Sequence, residues 1–322
     1  MLSNSNPWES EDKAELVSIG THHLYVSATG PPRKLSRPVV IFFSGGGTPC
    51  AMYVRSHRHL SNEFRVYFYD RTGYHPSERG PTETLTAQDA AQELIVLMER
   101  ISVPPPYILL GHSYGCVIAR ALLDVLPAGS VTGMVLDEAA TELMYHVFPG
   151  LPNPAYDVVT KGIDSVDVLH LREKSQLTDE EWQAAVEAGA KSRDATEAED
   201  NHASGLALAR RQQFHKHALD PWPLVVTRCS LAGDFRAVYN AGVEKGQGTE
   251  QERAQALEFV ERFDIFEDEL KAGQLRLSHC HKYMSLPDRG HNNAIINPET
   301  TTDAVRWVME RQNLDNISSK LC

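Results

Sequence analysis

The sequence predicts an α/β fold: a mostly parallel central sheet flanked by helices, with a mostly helical segment inserted at 141–220. Three observations predict it. Continuous apolar runs such as Val39-Val40-Ile41-Phe42-Phe43 fit strands buried on both faces, the pattern of a parallel sheet covered by helices. These runs alternate with helical text, the strand-helix-strand succession that right-handed crossovers require. The third is a tight Gly111-His112-Ser113-Tyr114-Gly115 turn between the apolar run at 107–110 and helix-like text at 116–123.

The elements follow in order. Residues 15–29 alternate loosely (Leu16, Val17, Ile19, then Leu24, Tyr25, Val26), which predicts an antiparallel hairpin at one sheet edge. Gly30-Pro31-Pro32-Arg33-Lys34 breaks it. The strand at 39–43 runs into the glycine loop Ser44-Gly45-Gly46-Gly47, and a strand at 64–69 and a helix at 86–100 come next. Beyond the tight turn and its helix, 131–136 is a strand. From about 141 to 220 the text becomes acidic, alanine-rich and helical, including Thr178-Asp179-Glu180-Glu181-Trp182 and 206–217. That segment is expected to be a cap, with 1–140 and 221–322 forming the core domain. Strand returns at 223–227 and, briefly, at 281–286, around a long charged helix at 250–271; a helix at 299–311 ends the fold.

Composition excludes some partners. The 322 residues are 42% hydrophobic and 23% charged, as in a globular protein, with a formal net charge of −12. That charge argues against nucleic acid or an anionic membrane as main partner, since both would repel it. The five cysteines (Cys50, Cys116, Cys229, Cys280, Cys322) are far apart, odd in number and without a C-x-x-C pair, which reads as reduced thiols. With no signal-like N-terminus and no stretch long enough to span a membrane, the expectation is a cytoplasmic protein acting on a small molecule. The oligomeric state is not readable. No metal site and no cofactor are expected: there is no H-E-x-x-H, and His22-His23 and His279-Cys280-His281 are each too short to close a site alone.

The tight turn carries the chemistry. A serine between glycines on a strand-to-helix turn is held in a strained conformation that lifts its Oγ clear of the sheet. Ser113 is therefore the candidate nucleophile. A serine hydroxyl needs an imidazole to take its proton, and His291, in a Gly-His turn after the last strand, is the candidate base. Among the other histidines of the 14, His57, His59, His215 and His217 read as exposed helix residues, and His75 as a solvated loop residue.

Ser44-Gly45-Gly46-Gly47, Tyr69-Asp70-Arg71-Thr72-Gly73, the 105–115 stretch, Gly133-Met134-Val135-Leu136 and Gly290-His291-Asn292 together resemble the α/β-hydrolase superfamily, in its serine-nucleophile esterase and hydrolase branch. The resemblance covers about 38–140 and 221–312 and is silent on the cap. It implies the chain order nucleophile, acid, histidine. The acid has two placements in that superfamily. After the strand that follows the turn helix stand Asp137 and Glu138, whose side chains alternate to opposite sides, with Glu138 in the acid slot; beyond the cap stands Asp234. The resemblance also implies an oxyanion hole of backbone N–H groups from Tyr114 and the glycine loop, Gly46 first with Gly45 and Gly47 as neighbours. Ser44 departs from the histidine that many relatives carry there. The implied activity is cleavage of an ester, thioester or lactone of a small, apolar substrate, with Met144, Tyr145, Phe148 and Trp182 suggesting an apolar pocket. The alternatives are a carbon-carbon bond hydrolase, a non-hydrolytic cyclase or lyase, and a ligand-binding protein on the same fold.

Overall fold

A computed structural model describes residues 6–318 apart from 152, so Cys322 and the first five residues lie outside the described residues. Eight strands form one sheet: β1 (Lys13–Ser18), β2 (His23–Thr29), β3 (Val39–Phe43), β4 (Val66–Asp70), β5 (Tyr107–His112), β6 (Val131–Asp137), β7 (Leu224–Arg228) and β8 (His281–Ser285). Their order is β1-β2-β4-β3-β5-β6-β7-β8. β1 and β2 pair antiparallel, as does β2 with β4, and every later pairing is parallel.

The apolar runs are buried for the reason their pattern suggests. All five residues of β3 are buried. Val39, Ile41 and Phe43 join one core cluster with the helices Ala87–Arg100 and Tyr114–Val125, while Val40 and Phe42 join another with the helix Val54–Ser61 and the helix Pro298–Ser318. Period-two alternation thus feeds two cores, one on each face, and burying a side chain the size of Phe42 contributes ~2–3 kcal/mol. β8, at the edge, is mostly exposed.

The segment between β6 and β7 is helical, from Glu142–Val147 to Gln213–Lys216. The single helix expected at 206–217 is two, Asn201–Arg211 and Gln213–Lys216, broken at Gln212, which takes a left-handed φ of 53°. The last helix extends past residue 311, to Ser318. Cys50, Cys116 and Cys229 are buried free thiols. Among the described residues no helix is long and apolar enough to cross a membrane.

What the topology contributes to function is an edge. Because β3, β5, β6, β7 and β8 run parallel, the glycine loop, Ser113, Glu138 and the loop holding His291 all follow carboxyl ends of strands on one side of the sheet.

Candidate active site

Ser113 sits between β5 and the helix Tyr114–Val125 with φ 53° and ψ −123°, a strained conformation for a residue with a side chain. The flanking glycines are required by contact. A Cβ on Gly115 would lie 2.1 Å from the Phe43 carbonyl oxygen, and one on Gly111 would lie 2.7 Å from the Cys116 nitrogen. The Ser113 N–H donates to the Asp137 carbonyl at 3.0 Å, which pins the turn to the end of β6.

His291 bridges the serine and a carboxylate. Its Nε2 is 3.0 Å from Ser113 Oγ, and its Nδ1 is 3.0 Å from Glu138 Oε2. Glu138 is fully buried, and burial acting alone would push its carboxyl up. The ammonium of Lys271, the His291 ring and the Cys229 N–H hold its carboxyl down to about 2 instead. An ionised Glu138 accepts from Nδ1–H, which leaves Nε2 unprotonated and able to accept the serine proton.

The three candidate acids separate cleanly. Asp137, the last residue of β6, faces the other way: its carboxylate accepts from Thr301 Oγ1 at 3.1 Å and from the Thr227 hydroxyl. Asp234, on the helix Leu231–Glu244, does not reach the imidazole nitrogens. Its Oδ2 accepts the backbone N–H of His291 at 2.7 Å. Gly290 permits that approach, since a Cβ there would lie 2.4 Å from Asp234 Oδ1.

The glycine loop corrects one expectation. The N–H of Gly45 donates to the Tyr53 hydroxyl at 3.2 Å, so it is not free to receive an oxyanion. The Gly47 N–H donates to the Tyr74 hydroxyl at 2.8 Å. Gly46 is left, its N–H without a partner among the described residues, and a Cβ on it would stand 3.7 Å from Tyr114 Cβ. The two expected donors, Gly46 and Tyr114, are thus adjacent.

Tyr53 and His112, which sequence reasoning did not single out, extend this network. Nε2 of His112 is 2.9 Å from the His291 carbonyl oxygen, which can only accept, so Nε2 carries the proton. Nδ1 then accepts from the Tyr53 hydroxyl at 2.7 Å. Burial pushes His112 down to about 3, which keeps it neutral. A directed chain therefore links the glycine loop to the His291 loop.

Ser44 is accommodated by Arg71. The guanidinium donates to Ser44 Oγ at 2.9 Å, to the Ser44 carbonyl at 3.1 Å and to the Gly45 carbonyl at 3.0 Å. Its other donors go to Glu199, from the inserted segment, and both side chains are buried. Tyr74 also donates to Glu199 at 2.8 Å.

Other expectations change with burial. His57 is not an exposed helix residue: its ring lies 4.5 Å from that of Phe68, and burial pushes it down to about 4. His75 is half-buried and, with His57, Cys50 and Asp70, lines a cavity of about 690 Å³ beneath the inserted helix Asp179–Lys191. The aromatic residues expected to line a pocket are mostly packed as core: Phe148 stands edge-on to Phe259, and Tyr145 covers Gly205. His217, Asp220 and His279 bring ligand-type atoms within 4.8 Å of one another at the opposite end of β7 and β8, where His279 Nδ1 lies 2.6 Å from Asp220.

An eight-stranded, mostly parallel sheet with serine, histidine and carboxylate gathered at its carboxyl edge is the arrangement of one large enzyme class. The chain belongs to the alpha/beta hydrolase family, whose model matches residues 40–303. It is 30% identical over 324 residues to an "AB hydrolase superfamily protein" of Gibberella zeae, covering 95% of this chain and 99% of that one. It is 29% identical to a Hormonema carpetanum protein named "Probable transporter efuK", of which it spans 44% of the length. Among solved structures, a carboxylesterase of the ammonia-oxidizing Thaumarchaeon Nitrososphaera gargenis superposes with a TM-score of 0.57 at 14% identity, over 93% of this chain and 99% of that one.

Proposed function

We propose that this protein is a serine hydrolase that cleaves the ester, thioester or lactone bond of a small molecule through an acyl-enzyme. The observation that carries this reading is the continuous Ser113–His291–Glu138 hydrogen-bonded line, 3.0 Å at each step. In the first step Ser113 Oγ attacks the substrate carbonyl carbon while His291 Nε2 takes its proton. The carbonyl oxygen gains the negative charge, and the N–H groups of Gly46 and Tyr114 receive it. His291 then gives the proton to the leaving oxygen or sulfur as the acyl bond breaks. A water molecule repeats the sequence on the acyl-enzyme, returning Ser113 and releasing the acid. Glu138 stabilises the imidazolium at both stages. None of these steps calls for a metal or cofactor. The buried free thiols of Cys50, Cys116 and Cys229 fit a reducing compartment, and we place the enzyme in the cytoplasm on that ground.

Labelling with a fluorophosphonate tests the reading. Wild type is expected to label at Ser113, and Ser113→Ala to fold normally, resist labelling and lose turnover on the order of 10³-fold or more. Labelling of both proteins alike would overturn the nucleophile. Product analysis on acyl and lactone substrates separates hydrolysis from carbon-carbon cleavage and from elimination.

A further inference from the structure

The geometry points to Lys271 as a fourth, positioning member of the Ser113–His291–Glu138 line: a buried cation behind the carboxylate that sets how strongly the imidazole holds its proton. The inference rests on the hydrolase reading above. Lys271 lies on the last turn of the helix Glu250–Ala272, its side chain 2% exposed, with Nζ 3.4 Å from Glu138 Oε1. It also donates to the Ala139 carbonyl at 2.9 Å, and the next residue, Ala140, donates its N–H to the Ser113 carbonyl at 3.1 Å. The lysine therefore holds both the carboxylate and the backbone that passes beneath the serine.

A carboxylate with 0% exposure has no water to stabilise its charge. In such a site Glu138 alone would attract a proton strongly and share it with His291, leaving less neutral imidazole to act as base. The lysine offsets part of the carboxylate field while Nδ1 keeps its acceptor.

The charges around the line are arranged accordingly. Lys271 has Glu267 one turn earlier on the same helix, and Glu267 pairs with Arg228 at 3.1 Å. Glu138 is faced by Asp137 from its own strand end and by the Cys229 N–H after β7. His291 is faced by the neutral His112 ring at 4.9 Å and, through its backbone, by Asp234. Arg228, Glu267, Lys271, Glu138 and the imidazole follow one another along this line, and burial pushes the Glu267 carboxyl up to about 7, so it too changes charge near neutral pH. Lys271 is the cation nearest the acid among the described contacts.

The test is the pH dependence of fluorophosphonate labelling, which needs no knowledge of the natural substrate. Lys271→Gln can still donate to Ala139 but carries no charge. Its rate-pH midpoint is expected to rise by roughly one unit, slowing labelling about tenfold on the acid limb relative to the variant's own alkaline plateau. Lys271→Met, of similar length and without a donor, is the second neutral variant, and Lys271→Arg should restore the wild-type midpoint. Thermal melts select the folded variants. A folded neutral variant with a lower plateau and an unmoved midpoint would assign the lysine to packing alone and overturn the inference. Failure of wild type to label at Ser113 would remove the hydrolase reading first, and the lysine role with it.

Discussion

Two residues with side chains, Ser113 at φ 53° and Glu138 at φ 49°, hold positive φ values at the reacting edge of the sheet. Such conformations cost ~1–3 kcal/mol each and persist where the surroundings over-determine them. Here the surroundings are specific: the Ser113 N–H is held by the Asp137 carbonyl, and the Glu138 N–H by the Thr227 carbonyl at 3.2 Å. The roles of the acids can be separated at this scale. Glu138→Gln should keep the fold and lower kcat on the order of 10³–10⁴-fold, since an amide neither stabilises the imidazolium nor selects its tautomer. Asp234→Asn keeps an oxygen to accept the His291 N–H, so a loss under about tenfold is expected. The reverse ranking in steady-state kinetics would move the acid to Asp234. Gly290→Ala offers a sharper contact test. Its Cβ would press on Asp234 Oδ1 from 2.4 Å and shift the loop that carries His291. Because small misplacements of a base are costly, a kcat loss of about 10²-fold with little change in KM is expected.

At the level of elements, the inserted helical segment is tied to the core through charge. Arg71, after β4, uses all of its donors on Ser44, Gly45 and Glu199. Arg120, on the helix after Ser113, pairs with Glu142 at the start of the insertion and with Gln213 near its end. Glu199→Ala would leave a buried guanidinium without its anion, for a stability loss of about 3–5 kcal/mol, whereas Glu199→Gln keeps an acceptor and should lose less. Denaturant melts of the two variants check this, and equal losses would show that the retained acceptor contributes nothing and that the loss is that of the charge. These elements also show what a sequence can and cannot carry. The strands were legible because β3, β5 and β6 are buried on both faces and so carry long apolar runs. Ser113 was legible because Gly111 and Gly115 have contact reasons that force the pattern. Lys271 was not. It lies in a helix rich in Glu, Asp and Arg, where a lysine reads as solvated, and only the packing of that helix against β7 and the residues that follow β6 buries it. Glu199 was equally hidden, since its partner Arg71 is 128 positions away and no local spacing connects them. The break at Gln212 was missed because a left-handed residue other than glycine leaves no compositional mark.

For the molecule as a whole, the buried carboxylates pull its stability in opposite directions as pH changes. Glu138, held down to about 2, adds stability above its ordinary value of 4.5 and loses that contribution as pH falls toward 2. Asp70 and Glu267 act oppositely, since burial pushes each up to about 7. Such a group binds its proton more tightly when folded, so stability is greatest below the unfolded value and declines as pH rises through 7. Asp70 is the better probe because it lies outside the Ser113–His291–Glu138 line. Its Oδ1 accepts the Cys50 N–H at 2.8 Å, a role that asparagine can keep without the charge. The full shift from 3.8 to about 7 sets a ceiling of ~4 kcal/mol, and relaxation of the site reduces this to ~1–2 kcal/mol. Asp70→Asn is therefore expected to raise Tm by roughly 2–8 °C at pH 8 and to leave it within about 1 °C at pH 4, where the aspartate is already neutral. Paired thermal melts of wild type and variant at the two pH values measure the difference directly. An equal rise at both would mean that the gain comes from packing or from the unfolded chain, and that burial does not raise the Asp70 carboxyl above its unfolded value.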